Sequence, residues 1–226
     1  MLLQRWPYEA TVRIQREILE QRAANTTDDT LILLEHDSVF TLGRRNQREQ
    51  MGSEIDLLRS RGFDVCATDR GGSITYHGPG QVVGYPILRL RDFCSGPKAY
   101  VGKLEEVMVR VLEEWGLSGT RVSQWRGVWI GNTETRLQKI ASIGVRITRG
   151  VTMHGFALNV NMDLQPFDLI TPCGIKGCHV TSMAKELGKP VDIEAVRKRL
   201  AFHFGDVFRL EWVERETVHP MFPASH

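Results

Sequence analysis

Two strand-like runs in the second half of the chain constrain its fold more than any other feature. Lys139 to Ile147 and Val151 to Val160 are separated only by Thr148, Arg149 and Gly150, the length of a hairpin connection, which favours antiparallel pairing. The order of the remaining elements agrees with an α+β fold. Tyr8 to Ala23 sets Ala10, Val12, Ile14, Ile18 and Leu19 at near-helical spacing among charges, an amphipathic helix packed on a core. Thr30 to Glu35 reads as a short buried strand, and Glu54 to Ser60 as a helical turn ending before Gly62. Phe63 to Thr68 reads as a strand leading into a glycine-rich loop, Arg70 to Gln81, and Val82 to Leu90 as another strand.

Lys98 to Trp115 has helical periodicity, with Pro97 at a permitted starting position and Gly116 just past the end. Val128 to Ile130 reads as a strand. Beyond Asn161 the chain is irregular around Pro166, Pro172 and Gly174, and helical spacing returns from Ile193 to Phe208. The expected architecture is one domain over residues 1–226, with mixed, largely antiparallel sheets and flanking helices. From Glu214 to His226 periodicity is lost, and a poorly ordered tail is expected.

With 226 residues, 42% of them hydrophobic, the chain can fill a substantial core. Its 29 basic and 27 acidic side chains leave a net charge of +2, too weak a field to suggest nucleic acid as the main ligand. Cys66, Cys94, Cys173 and Cys178 are too scattered for a secreted disulfide framework and fit a reducing compartment. No apolar run approaches the roughly 18 residues that span a bilayer. Arg5, Glu9, Arg13 and Glu17 break the amino terminus where a signal peptide would be apolar, so a soluble cytoplasmic protein is expected.

The string Arg70-Gly71-Gly72-Ser73-Ile74-Thr75-Tyr76-His77-Gly78-Pro79-Gly80-Gln81 allows backbone amides to approach a ligand closely. It lacks the Gly-Lys-Ser/Thr of a P-loop and the spacing of a dinucleotide fingerprint, and its glycines alone would read as a tight turn. Cys173 stands between Pro172 and Gly174, which break regular structure and can leave a thiol at the mouth of a loop; a small buried hydrophobe is the commoner fate of a free cysteine, and is expected for Cys66 and Cys94. Lys139 enters an apolar run, Ile140 to Val145, so its ammonium either reaches solvent or is held in a pocket, and spacing alone favours solvent. Beside a cysteine, a pocketed lysine would stabilise the thiolate and could act as its base. His77, His154 and His179 with Cys173 and Cys178 are zinc-ligand types at poor spacing, so no metal site is expected. The basic string Gly43 to Arg48 reads as a solvated loop, with docking of an acidic carrier domain as the alternative.

Taken together, Arg70 to Gln81, Lys139 to Gly144, His154-Gly155-Phe156-Ala157-Leu158-Asn159 and Pro172-Cys173-Gly174-Ile175 resemble the lipoyl(octanoyl) transferase family of lipoate biosynthesis, in order and separation. The resemblance implies a fold like the catalytic domains of biotin and lipoate protein ligases. It implies that Cys173 is the acyl-thioester nucleophile and Lys139 the residue that takes its proton. Arg70, Gly71, Gly72, Ser73, Ile74, Thr75, Tyr76, His77, Ser142, Ile143, Gly144, Gly155, Phe156 and Ala157 would line the acyl and thioester pocket, with His154 in support. The implied donor is octanoyl-acyl carrier protein. The implied acceptors are lysines of lipoyl domains, in 2-oxo acid dehydrogenases and the glycine cleavage H protein, and the enzyme is expected to be monomeric. Thioester exchange is nearly balanced and aminolysis runs downhill, so neither ATP nor metal nor another cofactor is implied. Two other readings stay open: an ATP-dependent lipoate or biotin protein ligase of the same fold, and an acyl-binding module without turnover.

Overall fold

The computed structural model describes residues 2–45, 52–131, 137–171 and 179–213. Strand β1 (Leu2–Trp6) leads through Pro7 into helix α1 (Tyr8–Ala23), which buries Ile14, Ile18 and Leu19 at helical spacing. Strands β2 (Thr30–His36) and β3 (Val39–Leu42) follow, then helix α2 (Gly52–Ser60) and strands β4 (Asp64–Ala67), β5 (Ile74–His77) and β6 (Gln81–Ile87). Helix α3 (Pro97–Glu114) starts with proline in its first turn, where no N–H partner is needed, and Gly116 follows it at φ +73. Strands β7 (Thr120–Val122), β8 (Trp125–Ile130), β9 (Gln138–Thr148), β10 (Val151–Asn159) and β11 (His179–Val180) precede helices α4 (Met183–Leu187) and α5 (Ile193–Phe208). Asp192 caps α5 by accepting from the backbone amides of Glu194 and Ala195.

Among the described residues, the larger sheet runs β1-β2-β6-β10-β9-β8-β7, with β11 alongside β9, and the smaller runs β4-β3-β5. Pairing is mostly antiparallel; β1 with β2, β3 with β4 and β11 with β9 are parallel. The expected hairpin is β9–β10. Thr148 pairs with Val151, so the connection narrows to Arg149 and Gly150 at φ 52 and φ 77, the left-handed pair that matches strand twist in a tight turn. Helices α3 and α5 bury Leu104, Met108, Leu200 and Phe204 against one face of the large sheet, and α1 covers the other face at Val83, Tyr85 and Ala157.

The glycine-rich loop expected from Arg70 to Gln81 contains a strand: β5 pairs with β3, Phe40 opposite Tyr76 and Val39 opposite His77. Strand β3, flanked by two partners, gives this segment the ladder that glycine content hides. The expected tail from Glu214 to His226 lies outside the described residues. No described helix is long and apolar enough to cross a membrane.

Candidate functional site

A cavity of about 440 Å³ lies between the β9–β10 hairpin and the segment from Arg70 to His77. One wall carries Ser142, Ile143, Gly144, Gly155, Phe156 and Ala157; the other carries Arg70, Gly71, Gly72, Ser73, Ile74, Thr75 and His77; Lys139 and His154 also line it. Tyr76 does not. A strand's side chains alternate between faces, so Thr75 and His77 point one way and Tyr76 the other. The Tyr76 ring packs 5.1 Å from Phe40 and 5.7 Å from Phe167, with its hydroxyl 2.9 Å from Ser38 Oγ.

Two glycines let the walls close. A Cβ on Gly155 would stand 2.1 Å from Gly84 O on the neighbouring strand, and one on Gly144 would stand 2.9 Å from Gly71 O. The Gly71 amide donates to Val145 O at 3.1 Å, tying the glycine segment to β9. Arg70 is buried beneath it: Nη2 donates to Thr41 O at 2.6 Å, Nε to Thr41 Oγ1 at 3.1 Å and Nη1 to Gly71 O at 3.1 Å. A guanidinium so used holds the loop in place.

Spacing favoured a solvated Lys139, but its side chain is buried, only 3% exposed, with Nζ 4.7 Å from the centre of the Trp129 ring. The indole face and the stem of a buried chain offset part of the cost of drawing an ammonium from water. Strand β11 runs beside this residue, with Val180 opposite Lys139 and the Thr181 amide donating to Lys139 O at 2.9 Å. Cys173 and Cys178 lie outside the described residues. Of the other thiols, Cys66 is half-buried and pushed up to about 11 by burial and by Glu9, and Cys94 is raised by burial.

At the far end of the cavity Asp69, Gln15 and Arg146 gather around His154. His154 has φ 59, a conformation uncommon for a side chain other than glycine's, and its amide donates to Gln15 Oε1 at 2.9 Å. Its Nε2 is 2.6 Å from Asp69 Oδ1. Burial pushes the His154 imidazole down against the opposing pull of Asp69, whereas Asp69, bonded to His154 and paired with Arg146 and Arg16, is held well below the usual carboxylate range. We take the neutral ring, because burial is the larger influence on it, with Nε2–H donating to the carboxylate.

Beside this cluster Tyr8, His36, His77 and Tyr85 pack together, with ring centres 5.2 Å apart for Tyr8 and His36 and 5.8 Å for Tyr8 and His77. Burial pushes His36 down to about 4 and His77 to about 3. Tyr8, Val83, Tyr85, Trp125 and Arg126 line the cavity although no motif contains them. The signal available was an aromatic at the start of an amphipathic helix and another in a buried strand, which fits any core. Arg45, in the basic string read as a solvated loop, is exposed yet stands at the cavity's edge. Among the described residues no three His, Cys, Asp or Glu side chains gather closely enough to hold a metal ion.

Residues 7–205 match the family model of the lipoyl protein ligase A/B catalytic domain. An octanoyltransferase of Alkaliphilus metalliredigens is 44% identical over 214 residues, covering 94% of this chain and 95% of its own. A bipartite lipoate protein ligase from Thermoplasma acidophilum superposes with a TM-score of 0.69 at 17% identity, over 97% of this chain and 87% of that one. Biotin protein ligase from Aquifex aeolicus superposes with a TM-score of 0.52 at 13% identity, over 92% of this chain and 68% of that one. The two structures establish the shared α+β fold. The chain belongs to the lipoyl protein ligase A/B catalytic domain family, among its octanoyltransferases.

Proposed function

We propose that the chain moves an octanoyl group from octanoyl-acyl carrier protein to a lysine of lipoyl domains, through a thioester on Cys173. The observation that carries this reading is the burial of Lys139 beside β11. Cys173 precedes His179 by six residues, so its tether reaches at most roughly 20 Å from the strand that lies against Lys139. An ammonium near a thiol favours the thiolate, the form that attacks a thioester.

In the first half of the reaction, Cys173 gives its proton to Lys139 and its sulfur attacks the octanoyl carbonyl. The carrier thiolate leaves and takes that proton back. In the second half, the amine of the lipoyl-domain lysine attacks the Cys173 thioester, the Cys173 thiolate leaves, and Lys139 accepts the proton lost by the new amide. Loop amides close to the cysteine would hold the oxyanion, and the slot between Ser142, Ala157, Gly71 and Thr75 would hold the chain away from water. Lipoyl domains of 2-oxo acid dehydrogenases and the glycine cleavage H protein are the acceptors of this scheme, which operates in the cytoplasm with the protein as a monomer.

The test mixes the purified protein with octanoyl-acyl carrier protein and a lipoyl domain, without ATP. The lipoyl domain should gain the mass of one octanoyl amide. Product that forms only from free octanoate plus ATP would replace this reading with that of a ligase.

A further inference from the structure

Three side chains at the inner end of the cavity each keep a hydrogen-bond acceptor free, because their neighbours take up their protons. Thr181 O can only accept, so Asn159 Nδ2–H donates to it at 2.9 Å. Asn159 Oδ1 then accepts from Gln81 Nε2–H at 2.9 Å, which leaves Gln81 Oε1 to accept from His77 Nδ1–H at 2.7 Å. His77 Nε2 is left with a lone pair. The same logic fixes His36: Trp6 O takes its Nδ1–H at 2.7 Å, so its Nε2 accepts the Tyr85 phenolic hydrogen at 2.6 Å. Tyr85 Oη keeps its remaining lone pair. On His154, Nε2–H serves Asp69, and Nδ1 is buried with no partner.

His77, Tyr85 and His154 all line the cavity. In the sheet, Gly84 lies across Phe156 from Ile143, so Tyr85 stands one row beyond. That row is roughly 16 Å along β9 from Lys139 at about 3.3 Å per residue. A saturated chain offers these groups no hydrogen and removes them from water, leaving buried acceptors unsatisfied. We infer that the inner end is a distal subsite that reads a hydrogen-bond donor, a hydroxyl or thiol, on the last carbons of the acyl chain. The site accordingly accepts distally hydroxylated acyl groups as well as octanoyl.

This inference rests on the acyl-transfer reading, and the experiment separates the two. Transfer to a lipoyl domain is measured as kcat/KM for octanoyl- and 7-hydroxyoctanoyl-acyl carrier protein, with the native protein and with Tyr85→Phe. The native protein should transfer the hydroxylated chain within about threefold of octanoyl, and Tyr85→Phe should lower the hydroxylated-to-plain ratio by about tenfold. A plain apolar slot would instead disfavour the hydroxyl by on the order of a hundredfold. That result, or a ratio unmoved by Tyr85→Phe, would overturn the subsite while leaving octanoyl transfer intact. Should Tyr85→Phe fail to fold, the native ratio alone decides. Absence of octanoyl transfer by the native protein would overturn the reading on which the inference stands.

Discussion

At one end of the cavity the Lys139 side chain lies over the Trp129 indole; at the other, four rings and three polar side chains fix one another's protons. In the proposed reaction the Lys139 group changes partners, bonding to a thiol, a leaving group and an amine in turn. At the inner end His36 and His77 are buried without a charge, and glycines at 144 and 155 bring backbone against backbone. In this scheme chemistry and shape belong to different ends, and substitutions at each should register in different measurements.

The largest effect is expected at the Lys139 end. Lys139→Ala should slow acylation by about 10³-fold and slow alkylation of Cys173 near neutral pH in parallel. An alkylation rate equal to that of the native chain would break the proposed pairing.

At the inner end the expected signal is stability as a function of pH. In the folded chain burial keeps His36 near 4 and His77 near 3, against an ordinary value of 6.5. Unfolded chains therefore take up these protons first as pH falls. Stability is full above about pH 6.5 and is lost progressively toward pH 4 and 3, at about 1.4 kcal/mol per histidine per pH unit. Urea unfolding at pH 8 and 5.5 should differ by about 3 kcal/mol for the pair, and a His77→Gln variant should show roughly half that dependence. An undiminished dependence in the variant would place the proton uptake elsewhere.

Gly155→Ala should destabilise the fold by about 2 kcal/mol, because its Cβ meets a strand carbonyl that cannot swing aside. Gly102→Ala sharpens the contrast with the smallest effect: nothing lies within 4 Å of its Cβ inside α3, so the change should stabilise by about 0.5–1 kcal/mol. Both are read from urea midpoints, and equal effects would deny that Gly155 is set by packing.

The sequence announced long elements and left short ones silent. Helices α1 and α5 run over the residues their periodicity marked, since an amphipathic stripe repeated over several turns is hard to imitate by chance. Strand β3, by contrast, is buried at every position, so it carries no alternation, and β11 and α4 are too short to show a period. The glycine string is legible as a ligand wall but not as a strand, so the sequence does not separate Tyr76 from His77, whereas the pleat turns Tyr76 to the other side. Tyr8, His36, His77 and Tyr85 could not be grouped from sequence at all. Each is a common core residue, and only the crossing of β2, β5, β6 and α1 brings the rings together.

The central claim is the covalent route through Cys173, and intact-protein mass after mixing with octanoyl-acyl carrier protein tests it most directly. The native chain and a Cys178→Ser variant should each gain one octanoyl group, and Cys173→Ser should gain none. A Cys173→Ser protein that still carries the adduct, or a native protein that forms product while never carrying one, would contradict the account.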